Sequence, residues 1–170
     1  DIAPHPITWP DGPFLLATIH RAENTDNSER LKAILDGLSM SPNPVVLPAH
    51  PRIRPMLDRL SLPPTVHIIP PVGYAVMLGL VRLASGVVTD SGGLQKEAYW
   101  LETPCITVRD ETEWVETLHD GWNQLAGADP AVIGSAFGRI PTAPTKPFGF
   151  IPPRNPSERI ADALMGARRS

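Results

Sequence analysis

The sequence predicts an α/β domain, a Rossmann-like parallel sheet with flanking helices. Three observations carry this. Short apolar runs alternate with helical stretches of about ten residues or more, the rhythm of βαβ units. Runs such as Val87-Val88 and Cys105-Ile106-Thr107-Val108 lack strict polar alternation, as strands covered on both faces do. Several runs end in polar clusters, at His20, His50, Asp90-Ser91 and Arg109, and ligands bind open α/β sheets at such strand ends.

Composition narrows the class. The chain has 170 residues, 42% hydrophobic and 19% charged, enough for one domain or slightly more with a proper core. A net charge of −3 offers no electrostatic case for nucleic acid or an anionic membrane. The longest apolar stretches fall short of a bilayer span. The start, Asp1-Ile2-Ala3-Pro4-His5, lacks the charged and apolar regions of a signal peptide. The single cysteine, Cys105, excludes an internal disulfide and reads as a core residue of a cytoplasmic protein.

In order, residues 1–12 are Pro-rich and polar and read as a linker remnant, with the domain spanning 13–153. Phe14 to Ile19 is the first strand. Asn27 or Asp26 caps a helix whose apolar face is Leu31, Ile34, Leu35 and Leu38. Val45 to Leu47 is the second strand. A basic amphipathic helix is expected over Arg52 to Leu60, with Pro55 near its first turn or kinking it. Val66 to Ile69 is the third strand, and residues 74–84 a helix with Met77, Leu78, Val81 and Leu83 as apolar positions. Gly86 to Val88 is the fourth strand, and Ser91-Gly92-Gly93 opens a helix running to Leu101. Pro104 to Val108 is the fifth strand, and a short helix or turn covers Trp114 to Leu118. Gln124-Leu125-Ala126 is a sixth strand, and Asp129 caps a helix to about Phe137. Prolines 141, 144, 147, 152 and 153 mark an extended connector over 139–153. Asn155-Pro156-Ser157-Glu158 starts a final helix within 154–170.

The most informative stretch is GVVTDSGGLQKEAY, residues 86–99. A strand feeding a small-residue turn at a helix N-terminus is a ready anion site, because free N–H groups and the helix dipole favour negative charge. An Asp- or Ser-capped helix after a buried strand would read the same way. A diphosphate there needs N–H donors from Ser91, Gly92 and Gly93 and a planar cation such as Arg109. His20 could donate to a phosphate or work as a general acid or base. Glu97, one turn along the helix from Gly93, could accept two ribose hydroxyls. The plainer alternatives are a surface histidine at 20, a turn residue at His50, a solvated Arg109–Glu113 ion pair, and a solvated basic face at Arg52 and Arg54. The five histidines show no ligand spacing, so no metal site is expected. A serine hydrolase at Ser91 lacks the Gly-x-Ser-x-Gly elbow.

The strings Thr18-Ile-His-Arg-Ala-Glu-Asn24, Pro48-Ala-His-Pro-Arg52, Thr89-Asp-Ser-Gly-Gly-Leu-Gln-Lys-Glu97 and Arg109-Asp-Glu-Thr-Glu-Trp-Val-Glu116, in this order, resemble the C-terminal domain of the non-hydrolysing UDP-N-acetylglucosamine 2-epimerases. Gly121-Trp-Asn-Gln-Leu125 extends the likeness, which is good from about residue 12 to 127. The resemblance implies the C-terminal half of a GT-B fold. UDP-N-acetylglucosamine and UDP-N-acetylmannosamine would be interconverted by elimination and re-addition of UDP. Neither a redox cofactor nor an essential metal is implied.

Carried onto this chain, Ser91, Gly92 and Gly93 hold the diphosphate, Glu97 the ribose, and Arg109 the uridine side or the phosphates. His20 assists departure of UDP. Met77 stands where the family often has an aromatic residue stacked on uracil. Arg21, Glu23 and His50 match positions of a second, activating UDP-sugar site in many bacterial members. Ala22 and Pro51-Arg52 depart from that pattern. The resemblance further implies a missing N-terminal domain or partner chain with the catalytic carboxylates, toward which the final helix would pack. It implies a homodimer of the intact protein and a role in cell-surface polysaccharide biosynthesis. The alternatives are a hydrolysing UDP-N-acetylglucosamine 2-epimerase and the nucleotide-binding domain of a GT-B glycosyltransferase.

Overall fold

The computed structural model describes residues 12–118 and 121–140. The expected linker over 1–11, the expected connector from 141 and the expected final helix lie outside the described residues. Six short parallel strands form one sheet: β1 (Leu15–Thr18), β2 (Val45–Pro48), β3 (Val66–Ile69), β4 (Gly86–Thr89), β5 (Cys105–Thr107) and β6 (Asn123–Leu125). Their order is β3-β2-β1-β4-β5-β6. Chain direction along the sheet therefore reverses between β1 and β4, which pair from Leu15 opposite Gly86 to Thr18 opposite Thr89.

Among the described residues six α-helices flank the sheet, α1 (Ala22–Thr25), α2 (Ser28–Ser39), α3 (Arg54–Leu57), α4 (Tyr74–Leu83), α5 (Gly92–Trp100) and α6 (Pro130–Phe137), and a 3-10 turn spans Val115–Leu118. Period-2 alternation sends Leu15, Ala17 and Ile19 to one face of β1 and Leu16 to the other. The first face packs against Leu31, Ile34, Leu35 and Leu38 of α2 and Ile133, Ala136 and Phe137 of α6. The second packs against Leu80 and Val81 of α4 and Leu94 and Ala98 of α5. Both faces are covered, which is why β1 and β2 carry buried apolar residues on both faces rather than alternating with polar ones.

Caps place the helix starts. Asn27, not Asp26, caps α2, its side chain accepting from the N–H groups of Glu29 and Arg30 at 3.0 Å. Asp129 caps α6 in the same way, accepting from Ala131 and Val132. Cys105 is buried, and desolvation pushes its thiol pKa up to about 12, as befits an inert core residue.

Three expectations need correction. The helix expected over Arg52 to Leu60 shrinks to α3, flanked by turns. Pro55 supplies no N–H to a helical ladder, and the segment is held by bonds such as Ile53 N–H to His50 O and Met56 N–H to Ile53 O. The buried positions of α4 are Leu80 and Val81, whereas Leu83 is 73% exposed. The phase is set by Ala84, which is buried one turn beyond Leu80. The sixth strand lies one residue earlier than expected, because Asn123 pairs with Cys105.

Among the described residues no helix is long and apolar enough to cross a membrane. No three His, Cys, Asp or Glu side chains gather there as metal ligands.

Candidate functional site

The site is built from the ends of β1 and β4, side by side at the point where strand order reverses. Crevices open there because the following connections run to opposite faces of the sheet. Thr18 and Thr89 meet in register, their hydroxyls 2.6 Å apart. Thr89 Oγ1 also accepts the N–H of Ser91 at 3.0 Å, shaping the turn into α5. Ser91 caps α5, its hydroxyl accepting from Leu94 N–H at 3.3 Å. Gly92 and Gly93 fill the first turn, where amide N–H groups have no helical carbonyl behind them.

Asp90 holds the two strand ends together. It is fully buried. Its carboxylate accepts from His20 N–H at 3.1 Å, Arg21 N–H at 2.9 Å and Asn24 Nδ2 at 3.0 Å. His20 Nδ1 stands 3.3 Å from Asp90 Oδ1. Asn24 carries the network onward, donating to Val108 O at 3.1 Å and accepting from Arg30 Nε at 2.7 Å. A buried carboxylate is tolerable because every nearby partner is a donor. The effect is to pin the His20-Arg21 turn against the start of α5.

Around Gly92 lies a small open cavity of about 400 Å³ lined by His20, Arg21, Ser91, Gly92, Gly93, Glu113 and Trp114. The expected Ser-Gly-Gly turn and His20 are thus brought together. Arg109 is not in the lining. Its side chain is 6% exposed, and Nη1 donates to Glu113 at 2.7 Å. Its Nε makes no hydrogen bond, with Glu23 Oε1 3.6 Å away. The pair is therefore no solvated ion pair: the guanidinium is buried and committed to carboxylates. That hydrogen bond is also the chief reason the Glu113 carboxyl lies below its usual range. The cation that does reach the cavity is Arg21, whose Nη2 is 3.7 Å from Glu113 Oε1.

Glu97 is half-buried one turn along α5 and accepts from the Tyr74 hydroxyl at 3.0 Å. That bond, more than desolvation, raises the Tyr74 pKa. Met77 sits with His20 and His50 in a second small cavity of about 110 Å³. The two imidazole rings are 5.8 Å apart. His50 Nδ1 accepts from Arg52 N–H at 3.2 Å, a turn-forming role. Arg52 itself pairs with Asp26 at 2.9 Å. Arg21, Glu23 and His50 have separate partners: Arg21 turns to Glu113, Glu23 to Arg109, and His50 to Arg52.

Trp114, like Glu113, lines the cavity although the motifs did not single it out as a ligand. Its place follows from Thr112, whose hydroxyl donates to buried Gln95 of α5 at 2.6 Å and accepts from Trp114 N–H at 3.1 Å. Only the tertiary bond between that loop and α5 shows where the indole lies.

The model of the family described as UDP-N-acetylglucosamine 2-epimerase matches residues 2–164. The chain belongs to that family. Among curated relatives, the UDP-2,3-diacetamido-2,3-dideoxy-D-glucuronate 2-epimerase of Pseudomonas aeruginosa is 51% identical over 118 residues, 68% of this chain and 33% of the relative. A UDP-N-acetylglucosamine 2-epimerase homolog of Methanococcus maripaludis is 40% identical over 158 residues, covering 89% of this chain and 44% of its own. The Methanocaldococcus jannaschii epimerase solved in complex with UDP-GlcNAc and UDP superposes with a TM-score of 0.74 at 36% identity. It covers 91% of this chain and 45% of that one. The chain thus spans less than half the length of the relatives it matches. The calicheamicin glycosyltransferase CalG4 shares the fold at a TM-score of 0.55 and 21% identity.

Proposed function

We propose that this chain is the UDP-binding part of a 2-epimerase acting on UDP-linked 2-acetamido sugars. The observation that carries the reading is the cavity at the β1/β4 reversal. Two first-turn amides, Arg21 and His20 converge there within a family fold. Gly92 and Gly93 take the diphosphate through their N–H donors and the helix dipole, and Ser91 through its hydroxyl, since its own N–H is held by Thr89. Arg21 supplies the cation, because Arg109 is buried against Glu113. Glu97 takes the ribose hydroxyls once Tyr74 releases it, and Met77 borders the space for the base.

The family reaction removes the proton at sugar C2 and breaks the anomeric C–O bond to release UDP and a 2-acetamidoglucal; UDP then bonds to C1 again while C2 takes a proton on the opposite face, which inverts C2. His20 stands where it can give a proton to the departing diphosphate and reclaim it on re-addition. The carboxylates that work at C2 belong to a part of the relatives that this chain does not match. Intact, the protein would function as a cytoplasmic homodimer in cell-surface polysaccharide biosynthesis.

The sugar itself has a second reading. The 51% identity to the Pseudomonas aeruginosa enzyme favours a 2,3-diacetamido uronate over N-acetylglucosamine. Calorimetric titration of the chain with UDP tests the seat: Arg21→Met and Glu97→Ala should each weaken UDP about tenfold, the cost of a charge-assisted contact. Unchanged affinity in both variants would refute the assignment. Product analysis with each UDP-sugar, on a protein carrying this chain and the remaining length of its relatives, decides the substrate. Accumulating free sugar there would identify a hydrolysing enzyme.

A further inference from the structure

Nothing in the family reading assigns a role to Trp114 or Lys96. We propose that Trp114 is a diphosphate-binding residue, its indole N–H completing the ring of donors at Gly92, with the charge of Lys96 behind it. The inference rests on the diphosphate reading of the cavity.

Four observations support it. A methyl group built on Gly92 would meet Trp114 Nε1 first, at 3.2 Å, ahead of Glu113 Oε2 at 3.5 Å and Arg21 Nη2 at 3.8 Å. The polar edge of the indole therefore faces the open side of the helix start. Indole nitrogen is a donor only, and among the described residues Nε1 donates to nothing. Lys96 Nζ lies 4.0 Å from the centroid of the Trp114 ring and 5.0 Å from that of Trp100. Among the described residues Lys96 has no carboxylate partner, so its charge is balanced by ring faces alone.

The chemistry follows. An ammonium over an indole draws electron density from the ring, which leaves the N–H more positive and a stronger donor to an anion. The same contact fixes the plane of the ring, so the donor is set before a ligand arrives. Thr112 and Gln95 hold the loop in place from below. Glu113 brings a negative charge to the same wall, but Arg109 and Arg21 both face it and offset that charge. The wall as a whole presents donors to the space above Gly92.

The test is titration of the 170-residue chain with UDP, uridine and inorganic pyrophosphate, followed through the ¹H–¹⁵N signals of its indoles. The Trp114 signal is the one absent from Trp114→Phe. It should move downfield with UDP and pyrophosphate and stay with uridine. Trp114→Phe keeps a ring under Lys96 but no donor, and should bind UDP about tenfold more weakly, within the range for a hydrogen bond to a charged group. Lys96→Met should weaken UDP about threefold, less so at high salt. A wild-type chain that binds UDP while the Trp114 signal stays put overturns the proposal alone. So does Trp114→Phe binding UDP as tightly as wild type. A wild-type chain that binds no UDP overturns the diphosphate reading and this inference with it.

Discussion

Replacing Asp90 with alanine tests how the two strand ends are joined. The carboxylate is fully buried and accepts from two backbone N–H groups and the Asn24 amide. Alanine strands all three donors, and each unsatisfied buried donor costs about 1–3 kcal/mol. His20 and Arg21 are only half-buried, so water can reach part of that edge, whereas Asn24 is fully buried. The expected loss is about 3–5 kcal/mol, a large share of a typical stability of about 5–15 kcal/mol. Urea unfolding should show a lower midpoint at unchanged slope. Asp90→Asn keeps the volume but turns an amide N–H toward a donor, and should still cost about 2 kcal/mol or more. A loss below about 1 kcal/mol for alanine would refute the idea that this carboxylate holds the site.

Three further outcomes follow from close contacts and charge. Gly92→Ala adds a methyl 3.2 Å from Trp114 Nε1. It should change stability by less than about 1 kcal/mol, since helix propensity offsets the crowding, yet weaken UDP at least about tenfold by filling the seat; calorimetry on a folded variant reads both. Gly37→Ala places a methyl 2.9 Å from Ile133 Cβ, forcing α2 from α6, and should cost about 1–3 kcal/mol in denaturant despite better helix propensity. Glu113 has a folded pKa below its ordinary 4.5, so its contribution is complete above that value and is lost as pH falls through the lower, folded one. Stability measured against pH should therefore fall on the acid side, and Glu113→Gln should flatten that limb by a small amount, because the side chain is half-exposed.

The fold was legible where the physics is local. Asn27 and Asp129 cap their helices through side-chain oxygens that compete for first-turn amides, and that preference is written in the residue type. The strand runs were legible from their unbroken apolar content. The phase of α4 was not, because Met77, Leu78, Leu80, Val81 and Leu83 offer more apolar positions than one face can bury. Contact with the sheet chose Leu80 and Val81. The burial of Arg109 was not legible for a related reason. The spacing offers Arg109 a pair with Glu113, but nothing local shows that the guanidinium will be buried with Glu23 beside it.

What the sequence by itself determined is the strand–turn–helix at Asp90-Ser91-Gly92-Gly93, its neighbours at His20 and Glu97, and the parallel sheet that carries them. These depend on side-chain type, short spacing and backbone freedom, all of which act within a few residues. The tertiary structure alone decided which cation and which donor face the cavity. Arg21 and Trp114 reach it from loops about 70 and 20 residues away along the chain from Gly92. Their places are set by a buried carboxylate, a glutamine–threonine bond and a lysine between two indoles. Such contacts join distant segments once the strands have paired, and one-dimensional spacing does not encode them.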